Sequence, residues 1–131
     1  RVAKAIPLFK SIINAMNAYE MANGTISADV DDWDISFPYE IKQGASFNGS
    51  DSGVRYTGTP VGDFSVSAVQ KAIWYKGPSG GYVIDFFGRP NLLAKCYSSP
   101  AGNSFGESVC KAFGKEVSGT STAGGKVYQF Y

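Results

Sequence analysis

Arg1-Val-Ala-Lys-Ala-Ile-Pro-Leu-Phe-Lys-Ser-Ile-Ile-Asn-Ala-Met-Asn-Ala-Tyr-Glu-Met-Ala-Asn-Gly24 is the stretch from which the rest of the fold can be argued. At 100° per residue, Val2, Ala5, Ile6, Phe9, Ile12, Ile13, Met16 and Tyr19 lie within about 140° of one helical face. Lys4, Lys10, Asn14 and Asn17 lie on or beside the other face. This is an amphipathic helix with one side to bury. Asn23-Gly24 supplies the left-handed residue that commonly stops a helix, so the end is expected near Ala22. Pro7 falls on the polar side and reads either as an early-turn residue or as a kink in a longer helix that begins upstream.

Outward from the helix comes an acidic link, Asp29-Val-Asp-Asp-Trp-Asp34, and then short runs rich in Val, Tyr, Phe and Trp divided by Gly, Pro and Ser. Ala68 to Lys76 and Tyr82 to Phe87, joined by Gly77-Pro-Ser-Gly-Gly81, form an expected hairpin. Gly53 to Thr57 is a weaker strand. Val127-Tyr-Gln-Phe-Tyr131 alternates as a closing strand that would tie the C-terminus into the sheet. Ser104 to Phe113 reads as a short helix closed by Gly114 and carrying Cys110. The sequence has no internal repeat.

With 131 residues, 44% of them hydrophobic, the chain can bury one core, so residues 1–131 are read as a single domain. The net charge of +1 is spread without a basic stripe, which gives no footing for nucleic acid. No apolar run is long enough to span a bilayer. Arg1 already lies in helical pattern, which leads us to expect an upstream segment removed by processing. Cys96 and Cys110 lie in a Gly/Ser/Pro-rich stretch with little core, where a staple is useful, and read as one disulfide; two free thiols are the competing reading. Closing a loop of about 15 residues is worth roughly 3 kcal/mol in the chain-entropy model. A metal site fits poorly, because there is no histidine and no CxxC pair.

The absence of histidine also removes the commonest general base and the usual nucleophilic triads, so no catalytic residues and no cofactor are assigned. Asp29, Asp31, Asp32 and Asp34 could serve as paired carboxylates, yet four acids so close together read better as a solvated turn. They lack the Gly and distal Glu of a calcium loop. Gly119-Thr-Ser-Thr-Ala-Gly-Gly-Lys126 is superficially like a phosphate loop, but its first Gly is misplaced, Val127 replaces the required hydroxyl residue, and a strand follows where a helix is needed. Asn23-Gly-Thr25 and Asn48-Gly-Ser50 match the glycosylation sequon and, better, the Asn-Gly turn dipeptide.

Taken in order, the helix, its Ala22-Asn23-Gly24 stop, the Asp31-Asp-Trp-Asp-Ile35 segment and a cysteine-bounded C-terminal region resemble the type IV pilin and pseudopilin family. Arg1 to Gly24 is similar to the second half of the family's spine helix, and Trp33 stands where Leu is more usual. Cys96 to Cys110, with Val109-Cys-Lys-Ala-Phe-Gly114 and the terminal Tyr128-Gln-Phe-Tyr131, resembles the disulfide-bounded region and closing strand. Ser36 to Val69 carries no match. The resemblance implies an α+β fold, with helix 1–23 packed on an antiparallel sheet of about four strands within 24–131. It also implies an upstream leader cut by a prepilin peptidase, and an apolar half-helix that starts with a methylated Phe and holds the subunit in the inner membrane before assembly. The implied function is structural: a pilus or pilus-like filament at the cell surface or in the periplasm, serving motility or adhesion. Its implied partners are other copies of itself, related subunits and the assembly machinery.

On that reading Val2, Ile6, Phe9, Ile13 and Met16 face the sheet, while Lys4, Lys10 and Asn14 face neighbours or solvent. A first alternative keeps the family and makes the chain a type II secretion pseudopilin or a minor pilin for adhesion or DNA uptake. A calcium loop of the major-pseudopilin kind would need paired acids near the C-terminus, where this chain has only Glu107 and Glu116, which counts against it. A second alternative is a secreted ligand-binding module, for example for carbohydrate, using Trp33, Trp74, Tyr75, Tyr82 and Tyr97, although strand aromatics more often pack.

Overall fold

The computed structural model describes residues 2–24, 42–45, 53–57, 61–67, 70–87, 93–120 and 125–129. The first helix, α1, runs Val2–Asn23 without interruption at Pro7, which sits on its exposed side. Ala5, Phe9, Ile12, Ile13 and Met16 are buried, and Ile6, Leu8, Ala15 and Tyr19 are partly buried against them. The burial axis therefore passes close to Phe9 and Met16 and leaves Ile6 at its margin. Lys10 is half-buried and Asn14 exposed, while the side chains of Val2 and Lys4 lie outside the described residues. The helix ends as its dipeptide dictates. Gly24 takes φ 77° and donates its N–H to the Glu20 carbonyl at 2.8 Å, and the Asn23 amide donates to the Tyr19 carbonyl at 3.0 Å. Carbonyls of the last turn that would lack an intrahelical partner are thus satisfied.

Against α1, the described residues form one antiparallel sheet of eight strands, not about four. They are β1 Lys42–Ala45, β2 Val54–Thr57, β3 Phe64–Ser67, β4 Ala72–Gly77, β5 Gly80–Phe87, β6 Leu93–Ser99, β7 Lys115–Thr120 and β8 Lys126–Gln129. Six of them meander in sequence. The chain then forms the helix α2, Ser104–Phe113, lays β7 at the far edge and folds β8 back between β6 and β7. The undercount has a physical cause. Segments such as Lys42-Gln-Gly-Ala45 and Lys115-Glu-Val-Ser-Gly-Thr120 have little apolar alternation, and ladder bonds to neighbouring strands hold them extended.

The expected hairpin is β4 and β5, with a tighter connection than its glycines implied. Gly77 pairs with Gly80, leaving Pro78-Ser79 as a two-residue turn. The strand begins at Ala72 instead of Ala68; Ala68 and Val69 are outside the described residues, and Gln70 and Lys71 form a turn. Lys71 is left-handed at φ 53°, and its ammonium pairs with Glu20 at 2.8 Å, joining this turn to the last turn of α1. β8 matches the closing strand as far as Gln129; Phe130 and Tyr131, like the acidic link with Trp33, lie outside the described residues.

Strand register sorts the side chains. Tyr56, Phe64, Tyr75, Tyr82 and Ser98 form one row on the helix-covered face, and Val54, Val66, Ile73, Ile84, Cys96 and Tyr128 the next. Phe9 joins the layers, with its ring edge-on to Phe64 at 5.1 Å and stacked on Phe113 of α2 at 6.1 Å. The Cys96–Cys110 disulfide ties β6 to α2 with a Cα separation of 5.3 Å, and both residues are fully buried, so the free-thiol reading falls. The result is α+β, with an N-terminal helix, an antiparallel sheet and a disulfide-bonded C-terminal region.

Candidate functional site

The tip of the β4–β5 hairpin is docked onto the start of α2 by one side chain. Asn103 is the N-cap of α2, and its Oδ1 accepts from the Gly106 N–H at 2.7 Å. Its amide nitrogen donates to the Gly81 carbonyl at 2.9 Å and the Pro100 carbonyl at 2.8 Å. Cap, hairpin and preceding loop are held together by a single residue. The approach is close because Gly106 has no side chain; a Cβ there would run into the Gly81 carbonyl and the Ser98 side chain.

Between this junction and the first turns of α1 lies a partly open cleft of about 200 Å³. Ala5, Tyr82 and Val109 are its buried apolar residues, Tyr75, Phe105 and Val61 its half-buried ones, and the Gly77–Gly80 turn forms its polar rim. Tyr75 and Tyr82 stack nearly parallel, with centroids 5.0 Å apart and 9° between planes. Phe105 leans on both, at 5.6 and 6.3 Å. Among the described residues no charged side chain lines the cleft. Burial, and then the neighbouring Tyr75 phenol, push the Tyr82 hydroxyl far above its ordinary pKa.

Of the five aromatics suggested as a binding platform, the four that the structure describes do not converge. Tyr75 and Tyr82 are cross-strand partners at the cleft, whereas Trp74, Val83 and Tyr97 form a row on the opposite face, and Trp33 lies outside the described residues. That second face is no open platform, since Ser65, Ala72 and Val83 on it are buried. It carries Asp85, whose carboxyl is raised by burial and partly restored by a hydrogen bond donated from the Tyr97 hydroxyl. The Tyr97 hydroxyl is raised in turn, first by burial and then by the Asp85 charge. As cleft-lining residues, Ala5, Val61, Phe105 and Val109 were not assigned from sequence, because they come from three separated segments that share no local pattern.

A second surface is the solvent-exposed side of α1. Pro7, Ser11, Asn14, Ala18 and Met21 are exposed. They span about 80° at 100° per residue, opposite the buried stripe. None is charged, and Met21, 65% exposed, is the large hydrophobic residue most open to solvent among the described residues. Among the described residues no helix is long and apolar enough to cross a membrane, and no three His, Cys, Asp or Glu side chains come together to hold a metal ion. Compared with protein-family models, with curated proteins and with solved structures, the chain gives no significant match.

Proposed function

We propose that this chain is the globular part of a subunit of a type IV pilus or pilus-like filament, assembling through its N-terminal helix. The observation that carries the reading is the two-sidedness of α1. One stripe is buried on the sheet and α2, and the opposite stripe is exposed, uncharged and spaced so that it recurs on one side of the helix. A solvated helix face is ordinarily populated by charges, and a stripe of small and neutral residues suits close packing against another helix. The order of elements supports the same reading, from helix to antiparallel sheet to disulfide-bonded C-terminal region.

On this reading the chain continues upstream into an apolar half-helix that anchors it in the inner membrane until polymerisation. The partners are then other copies, related subunits and the assembly machinery, with the globular part on the filament surface. The role is structural, without catalytic residues or a cofactor. Two measurements test it. N-terminal sequencing and intact mass of the protein from its native membrane should find an N-methyl-Phe start and an apolar segment ahead of Arg1; a conventionally cleaved signal peptide with no retained apolar helix refutes it. Ser11→Glu and Ala18→Glu, placed on the exposed stripe, should abolish filaments at unchanged melting temperature, and normal filaments from both would remove the assigned interface.

A further inference from the structure

We propose that the cleft between the β4–β5 turn, α2 and the first turns of α1 binds a small neutral ligand built on a single aromatic ring, of the size of a phenol. The inference stands apart from the filament reading, since it concerns one folded copy.

Size sets the first limit. An apolar cavity of roughly 150 Å³ is enough to hold benzene. At about 200 Å³ this cleft accommodates one six-membered ring and a few further atoms, and is smaller than the pockets that take drug-sized molecules.

Lining chemistry sets the second limit. Tyr75, Tyr82 and Phe105 already lie at the centroid spacings of an aromatic cluster, and an inserted ring extends that cluster at the same kind of distance. Phosphates, carboxylates and small, strongly hydrated cations are disfavoured, because no charged side chain among the described residues lines the cleft to replace their hydration. A sugar of equal size is disfavoured by the same reasoning. Each of its several hydroxyls must find a partner when desolvated, and among the described residues the polar side chains that line the cleft are Ser79, Tyr75 and Tyr82 alone, beside the turn peptides.

The cleft is also held open. A Cβ at Gly62 would stand 2.7 Å from Tyr75 Cε2, and one at Gly77 would stand 2.8 Å from Cε1. Backbone thus abuts both edges of the Tyr75 ring while Tyr82 supports its face. The side chain that could collapse into the space is clamped beside it, which spares a ligand the cost of reorganising its site.

The test is a ¹H–¹⁵N titration of the 131-residue chain with p-cresol, and separately with benzoate and with glucose. Saturable shifts with p-cresol are expected at Gly77, Gly80, Phe105 and Gly106, with a Kd on the order of 1 mM as befits so small a ligand. Benzoate and glucose should leave these amides unmoved. Val61→Phe, at the half-buried rim, should weaken p-cresol at least tenfold with the fold retained. Ser79→Trp, on the exposed turn, caps the same mouth and serves if Val61→Phe does not fold. Absence of saturable shifts, equal shifts with glucose or benzoate, or undiminished binding by the capped variant overturns the proposal.

Discussion

Phe9→Ala is the sharpest test of how the layers are joined. The ring is fully buried, edge-on to Phe64 at 5.1 Å and 81°, stacked on Phe113 at 6.1 Å and 26°, and angled to Tyr82 at 6.3 Å. Truncation removes its transfer energy and leaves a cavity between α1, α2 and the sheet, at a cost of about 3–5 kcal/mol. Set against a total stability of about 5–15 kcal/mol, that is a large fraction. For a chain of this length each kcal/mol lowers the melting temperature by about 3–5 °C, so a fall of about 9–25 °C is expected. Urea unfolding of the oxidised protein should show a lower midpoint at unchanged slope. A double-mutant cycle with Phe64→Ala should return a coupling of about 0.5–1.5 kcal/mol for the edge-to-face pair. A loss below about 1 kcal/mol would place Phe9 outside the core, contrary to a fully buried ring. The two stripes of α1 would then be reversed, and the filament interface with them.

Three further perturbations probe other parts of the molecule. Replacing both Cys96 and Cys110 by Ala should cost about 3 kcal/mol from loop closure alone, read as a drop in urea midpoint that reducing agent does not deepen. Asn103→Ala removes the cap of α2 and two donated hydrogen bonds; a loss of about 2 kcal/mol, with faster amide exchange at Gly106, is expected, and unchanged exchange would show that the cap does not hold the junction. Asp85 is held above its ordinary pKa by burial, so its ionisation costs stability as pH rises through the folded value. Asp85→Asn should therefore raise the melting temperature at neutral pH and lose that advantage in acid, and a gain independent of pH would refute the assignment.

The local features of this chain are legible in its residues alone. The stripe of Ala5, Phe9, Ile12, Ile13 and Met16 and the Asn23-Gly24 stop define α1, because helical hydrogen bonds and the glycine cap lie within a few residues of chain. The β4–β5 hairpin and α2 are legible for the same reason, since turn and cap chemistry is local. The alternation of Trp74 and Tyr75 also means that they cannot share a sheet face, whatever the partners. Tertiary structure decided the rest. Leu93–Ser99 and Lys115–Thr120 are strands because β8 returns between them and completes the ladder of each, and the sheet accordingly doubles in width over the expectation. The Cys96–Cys110 bond depended on β6 and α2 meeting, and the cleft on Ala5, Val61, Tyr75 and Phe105 meeting, across separations along which no local pattern runs. Periodicity says which face of an element is apolar; only packing says which other element covers it, and what space is left between them.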